Sequence, residues 1–149
     1  MEQSDYTTKN NLWRFQKYVL PQHTDHAGIM WHGTYFNWLE ESRVNALSDA
    51  GINYADLINK GYQLPVIEVG IKYIAPIYLG QRIIIKSAFE ITKSPKIKIK
   101  SYFINDLNKF LSIANVSIVL IRNDTYKIEK KRPNFLLNIF NNLSNGPNY

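Results

Sequence analysis

The sequence predicts an α+β domain in which a five-stranded antiparallel sheet wraps around one long helix. Three observations carry this prediction. Residues 34–50 hold one block of helical periodicity, closed by Gly51. From residue 63 the apolar period shortens to two and stays there to about residue 121. One strand-like segment precedes the helix, so the order is one strand, one long helix, then four strands.

Leu12 to Leu20 alternates apolar and polar side chains, and Pro21, with no N–H for a ladder, ends that first strand. Residues 21–33 form a loop rich in His and Gly. Thr34 stands where an N-cap belongs, and its helix runs to about Ala50. Phe36, Leu39, Arg43, Ala46, Leu47 and Ala50 fall on one broad face, with Glu40, Glu41, Asn45 and Asp49 mostly off it. Gly51 suits a left-handed C-terminal cap, and a short helix follows from Asn53 as cap to Gly61. Val66 to Ile74 is the second strand, ended by the turn residues Pro76 and Gly80. Arg82 to Glu90 is the third, and Ser94-Pro95 separates it from the fourth, which opens with Lys96-Ile97-Lys98-Ile99-Lys100. Asp106 to Lys109 is a hairpin connection into the last strand, Phe110 to Ile121. Pro133 opens a terminal helix carrying Phe135, Leu136, Ile139 and Phe140. Residues 1–11 and 141–149 are expected to be poorly ordered ends of a single domain spanning 1–149. One helix covers one face of such a sheet, which leaves the other face or an edge for a partner subunit.

The 149 residues are 45% hydrophobic and 20% charged, enough to build one core. The absence of cysteine excludes a disulfide framework, a thiol nucleophile and Cys-ligated metal. The first twenty residues carry Glu2, Asp5, Lys9, Arg14 and Lys17 and no apolar run, so no signal peptide is expected. No run of about 18 apolar residues marks a membrane span. A cytoplasmic protein is the expectation. The net charge of +6 is unevenly placed: residues 1–90 hold 8 Lys+Arg against 9 Asp+Glu, and residues 91–149 hold 10 against 3. That asymmetry fits an anionic partner, or a solvated face with a basic tail.

Chemistry concentrates in His23-Thr24-Asp25-His26-Ala27-Gly28-Ile29-Met30-Trp31-His32. Asp25 is a carboxylate in a loop that leads into a helix N-terminus, where unpaired N–H groups and the macrodipole favour negative charge. Such a place can keep a carboxylate ionised and receive an oxyanion beside it, the two needs of acyl transfer to water. Gly28 and Gly33 let backbone approach a ligand with no Cβ in the way. The plain alternative is that Asp25 only braces a turn, as Asp does beside Gly.

The run from Asp25 to His32, followed by Tyr35, Glu40 and Arg43, resembles the 4-hydroxybenzoyl-CoA thioesterase family. It is also similar to related bacterial acyl-CoA thioesterases of the Tol-Pal type. The likeness covers residues 12–122 in element order, with its specific part at 23–43. It implies a hotdog fold, dimers made by joining sheets edge to edge and often homotetramers. It also implies hydrolysis of an acyl-CoA to free acid and coenzyme A with no cofactor. Asp25, opening the turn Asp25-His26-Ala27-Gly28, would be the general base or nucleophile. His32, Gly33 and Thr34 would form the helix end that polarises the thioester carbonyl, with Trp31 and Tyr35 beside the substrate. This sequence departs from the pattern at His23, where relatives usually carry an acid. It departs again at His26, where Ala, Pro or Gly is common, and at Thr34, where Asn is usual. Imidazoles on both sides would tune the basicity of Asp25. A non-catalytic acyl-CoA-binding protein of the same fold is the alternative. Dehydratase chemistry is disfavoured, because the helix 34–50 contains no His.

His23, His26 and His32 beside Asp25 invite a metal reading, but His-x2-His-x5-His in a loop lacks the i, i+4 spacing of paired ligands, so no metal is expected. No Gly-x-Ser-x-Gly elbow exists. Glu40 and Arg43 read as an i, i+3 ion pair. Glu68 reads as a solvent-facing residue or, by the resemblance, as one near a partner's active loop. Lys96, Lys98 and Lys100 share one strand face. Lys96 and Lys98 are candidate contacts for the phosphates of CoA, against a solvated face that guards the strand. Arg122, Lys127, Lys130, Lys131 and Arg132 read as a basic tail. No nucleic-acid partner is expected, since no RNA-binding signature is present. Trp31, Tyr35, Phe36 and Trp38 either line an aryl-acyl pocket or pack the core. Aromatic against aliphatic acyl groups, and CoA against an acyl carrier protein, stay open.

Overall fold

The computed structural model describes residues 11–148. In chain order its elements are β1 (Trp13–Tyr18), α1 (His32–Ala50), α2 (Tyr54–Asn59), β2 (Tyr62–Gln63), β3 (Val66–Tyr73), β4 (Arg82–Ile91), β5 (Lys96–Ile104), β6 (Phe110–Val119), β7 (Ile121–Arg122) and α3 (Asn134–Asn145). Five strands in the order β1-β4-β5-β6-β3 make one antiparallel sheet, and α1 packs on its inner face. The α+β class and the strand-helix-strands order are those read from the periodicity.

Helix α1 is turned from the expected face. Tyr35, Trp38, Leu39, Ser42, Ala46, Leu47 and Ala50 are buried, whereas Phe36 is 44% exposed. The buried side places the two large rings Tyr35 and Trp38 against the sheet, and the small Ser42 and Ala46 let the helix approach it closely. The Ser42 hydroxyl donates back to Leu39 O (3.0 Å), which satisfies it without a partner from the sheet. The expected Glu40–Arg43 pair does not form. Arg43 turns toward an apolar slot with Leu47, Tyr54, Leu64 and Phe140, where burial lowers its pKa and Glu40 acts only through its field. Glu41 instead pairs with Lys17 (2.9 Å).

The last strand is shorter than the alternation predicts. Val119 N–H bonds Pro65 O (3.2 Å) and Glu129 N–H bonds Leu120 O (2.8 Å). Pro65 offers no N–H in return, so the ladder stops there and β7 pairs with β2 in a separate two-stranded sheet. Helix α3 extends to Asn145, past the end expected near residue 140. Leu143 continues the stripe of Leu136, Ile139 and Phe140 into the core, Trp13 Nε1–H donates to Leu143 O (3.0 Å), and Asn142 donates to Ala50 O (2.9 Å). The asparagines around Leu143 mask that stripe in the sequence. The expectation for residues 1–10 lies outside the described residues. Arg132 is a tie and not part of a tail: its guanidinium donates to Thr92 O and Ser94 O, each at 2.8 Å, holding the β4–β5 turn.

Strand β3 is an edge. Val66, Val69 and Tyr73 point to the inner face, opposite Ile118, Val116 and Ser112, yet are 40%, 39% and 53% exposed. A bulge at Ile67 (50% exposed) adds to this apolar rim. After β3 the chain crosses to the far side of the sheet, and residues 77–79 brace the loop before α1 on the way: Met30 N–H bonds Ile77 O (2.7 Å) and Leu79 N–H bonds Gly28 O (2.9 Å).

Candidate functional site

The loop before α1 is a small hairpin. Thr24 bridges Met30, Asp25 N–H bonds Ile29 O (2.8 Å), and Gly28 N–H bonds Asp25 O (3.1 Å). Gly28 stands at φ +77, a conformation that excludes most side chains and explains the glycine. The Asp25 carboxylate accepts N–H bonds from Ala27 (2.9 Å) and Ile29 (3.1 Å), both at Oδ1. Asp25 therefore does brace the turn. Its Oδ2 has no partner among the described residues, and the residue is exposed.

The helix N-cap lies three residues before the expected place. Trp31, at φ −71 and ψ 143, is the N-cap, without a side-chain cap bond. Trp31 N–H bonds His23 O and Thr34 N–H bonds Trp31 O, each at 2.9 Å. Thr34 is buried inside the first turn, and its hydroxyl donates to His23 O (2.9 Å), tying the hairpin to the helix. Thr34 thus has no N–H to offer a ligand. The first-turn donors left over among the described residues are those of His32 and Gly33. Gly33 is needed for room: a Cβ there would overlap the Trp31 indole, which is 51% exposed and lies beside the His32 ring (4.9 Å between centroids). Gly33→Ala is expected to leave the helix at least as stable, since Ala gains up to about 1 kcal/mol over Gly. It should push the Trp31 ring outward. Tryptophan emission would then shift to longer wavelength, because Trp13 and Trp38 are buried and unaffected; an unshifted spectrum would contradict the packing described.

An open cleft of 310 Å³ adjoins this helix end, lined by Ile29, Met30, His32, Tyr35 and residues 73–76. Tyr35 is 3% exposed, wedged between Tyr73 (5.0 Å, edge to face) and Phe103 (5.2 Å). Its hydroxyl meets Ser112, and burial raises its pKa. Tyr35 is thus a fixed back wall, and Tyr73 is the ring that faces the opening. Tyr73 escaped the sequence reading because strand alternation marks only its face and says nothing of the cleft at the strand's end. Trp38 is core (1% exposed) and Phe36 lies outside, so neither lines the cleft.

A family model described as the thioesterase-like superfamily matches residues 19–138. The chain belongs to this superfamily. Over 68 residues it is 47% identical to a protein of Synechocystis named as an esterase, the match covering 46% of this chain and 41% of that one. Over 67 residues it is 33% identical to a Bacillus subtilis protein named as an acyl-CoA thioesterase, covering 45% of this chain and 49% of that one. The matches therefore span under half the length of these curated relatives. Among solved structures, a DHNA-CoA thioesterase of Staphylococcus aureus superposes with TM-score 0.74 at 23% identity over 79% of each chain. A Staphylococcus aureus protein solved in complex with CoA superposes with TM-score 0.81 at 16% identity, over 95% of this chain and 89% of that one. At these identities the likeness shows the fold, which is the hotdog arrangement expected from the resemblance.

Other residues singled out in this superfamily member fall in different places. His23 accepts Leu20 N–H at Nδ1 (2.9 Å) and stacks edgewise on Trp38 (5.2 Å), so it shapes the turn after β1 and does not address Asp25. His26 is exposed on the hairpin. Among the described residues no three His, Cys, Asp or Glu side chains gather as a metal set. Lys96 and Lys98 lie on the outer sheet face, with Lys96 toward Glu68 (3.9 Å) and Lys98 across from Glu90 and Ser117. Their row crosses β3 at Glu68, six residues from Ile74 at the cleft, or about 20 Å along a strand. Within one protomer they do not reach the cleft. No helix among the described residues is long and apolar enough to cross a membrane.

Proposed function

We propose that this protein hydrolyses an acyl-CoA thioester to a free carboxylic acid and coenzyme A. One observation carries the reading: among the described residues the carboxylate of Asp25 keeps one oxygen open and sits on a hairpin fused to a helix N-terminus whose His32 and Gly33 N–H groups are unused. The names of its relatives and the CoA held by one structural neighbour support it. In this reading Asp25 takes a proton from water, and the water oxygen bonds the carbonyl carbon. The developing oxyanion lies at the His32 and Gly33 N–H groups. The C–S bond then breaks, and the departing CoA thiolate takes up the proton. Direct attack by Asp25 on the carbonyl carbon would break the C–S bond, expel the CoA thiolate and leave a mixed anhydride. Water then opens the anhydride, restoring the Asp25 carboxylate, and the proton it releases goes to the thiolate. Single turnover in ¹⁸O-water separates the two, since only the anhydride route can leave the label on the enzyme's carboxylate.

The working unit is a homodimer joined through β3. The apolar edge is unpaired among the described residues of the protomer, and the cleft reaches Tyr73 and Ile74 at the end of that edge. Antiparallel pairing of two such edges places the Val66 end of one β3 beside the Tyr73 end of the other. Glu68, Lys96 and Lys98 of one protomer would then approach the partner's cleft, which is how these lysines would meet the phosphates of CoA. In this reading the protein works in the cytoplasm.

A second reading is non-catalytic acyl-CoA binding. It is favoured by the position of Asp25, which lies outside the cleft wall with Oδ1 engaged in the turn. A thiol-reactive dye decides between the readings. With benzoyl, naphthoyl, hexanoyl and palmitoyl thioesters of CoA, and with one acyl carrier protein thioester, hydrolysis should release one thiol per acid formed. Binding of the same thioesters with no thiol release supports the second reading.

A further inference from the structure

The cleft leaves one charged surface unused. Residues 120–129 form a hairpin: Arg122 N–H bonds Lys127 O (3.1 Å), Tyr126 N–H bonds Arg122 O (2.9 Å), and Ile121 bridges Ile128. Its tip carries Tyr126, 73% exposed and at φ +56, an unfavourable conformation for a side chain left mostly in solvent. Ile128 (49%) and Leu137 (52%) are exposed as well. Phe135 stacks on Tyr62, whose strand partner is Arg122, so the start of α3 adjoins the hairpin. Lys60 reaches over the Phe135 ring (5.0 Å).

The acidic groups of the hairpin are already engaged. Asp124 and Glu129 both face Arg122, at 3.3 and 3.9 Å. Lys127, Lys130 and Lys131 are exposed and have no carboxylate partner among the described residues. Three uncompensated lysines within five residues of the exposed Tyr126 and Ile128 match the chemistry of a headgroup layer. Apolar tips enter the acyl boundary while ammonium groups stay at the phosphates. An acidic protein would answer the charge but would not account for Tyr126 held outward.

We propose that this hairpin and the adjoining start of α3 dock the protein on an anionic lipid bilayer. The proposal is independent of the thioesterase reading, because binding is measured without substrate. Flotation with phosphatidylcholine vesicles and with vesicles containing phosphatidylglycerol is the test. Binding should require the anionic lipid and weaken as salt is raised. Replacing Lys127, Lys130 and Lys131 together by Gln should weaken it roughly 100-fold. Tyr126→Ser should weaken it several-fold. All four positions are exposed, so both variants should keep the wild-type circular dichroism. The proposal is overturned if anionic vesicles are not bound, or if neutral vesicles bind equally well. It also falls if the triple variant binds as wild type, or if polyglutamate binds as tightly as vesicles and Tyr126→Ser changes neither, which would assign the surface to an acidic protein.

Discussion

Asp25→Asn is expected to lower thioester hydrolysis by roughly 100- to 10,000-fold, the range that a positioned proton acceptor contributes. Fold and stability should be nearly unchanged. The Asn side-chain oxygen can accept the same Ala27 and Ile29 N–H bonds that Asp25 Oδ1 accepts now, so the turn survives while the charge is lost. Asp25→Ala removes both, and should add a stability loss of about 1 kcal/mol for the two bonds at this exposed site. The pair of variants separates bracing from catalysis. Thiol release at saturating substrate, read beside thermal unfolding, shows the difference. An Asn variant with wild-type kcat would end the assignment of Asp25 as base or nucleophile.

Val69→Lys is expected to convert the proposed dimer into a folded monomer and to lower kcat/KM by roughly 100-fold, the cost of a cleft whose wall is misplaced. Val69 is at the middle of the free edge, on the inner face, and 39% exposed in the protomer, so a lysine there strains nothing within one chain. Across a two-fold axis through the middle of this strand the two introduced lysines lie close together, and like charges brought together at an interface cost several kcal/mol. Light scattering after gel filtration gives the mass, and the thiol assay gives the activity. A wild-type chain that is monomeric and active would remove the dimer from the proposal, whereas a dimeric Val69→Lys variant would place the interface elsewhere.

Local order was legible where one period rules a segment. The starts of β3 to β6, the cap at Gly51 (φ +136), the short helix after Asn53 and the hairpin at 106–109 with Asn108 at φ +57 follow from alternation and turn chemistry. Ambiguity entered where two faces compete. On α1 both Phe36 and Tyr35 are apolar enough to be buried, and only contact with Tyr73 and Phe103 selects Tyr35. At the helix start, Thr34 is a good N-cap residue, yet Trp31 takes the position because its own N–H and the Thr34 hydroxyl both bind His23 O.

By itself the sequence determined the α+β class, the element order and the loop that holds Asp25, Gly28 and Gly33, because spacing and residue type act over a few positions. The tertiary structure alone decided which neighbours those residues meet. Among the described residues it set Tyr73 beside Tyr35, left the His32 and Gly33 N–H groups unused, put Lys96 and Lys98 on the opposite sheet face and left the outer edge of β3 unpaired. Such contacts join residues tens of positions apart through strand order, and strand order is set by the packing of the whole sheet on α1, which no local period records.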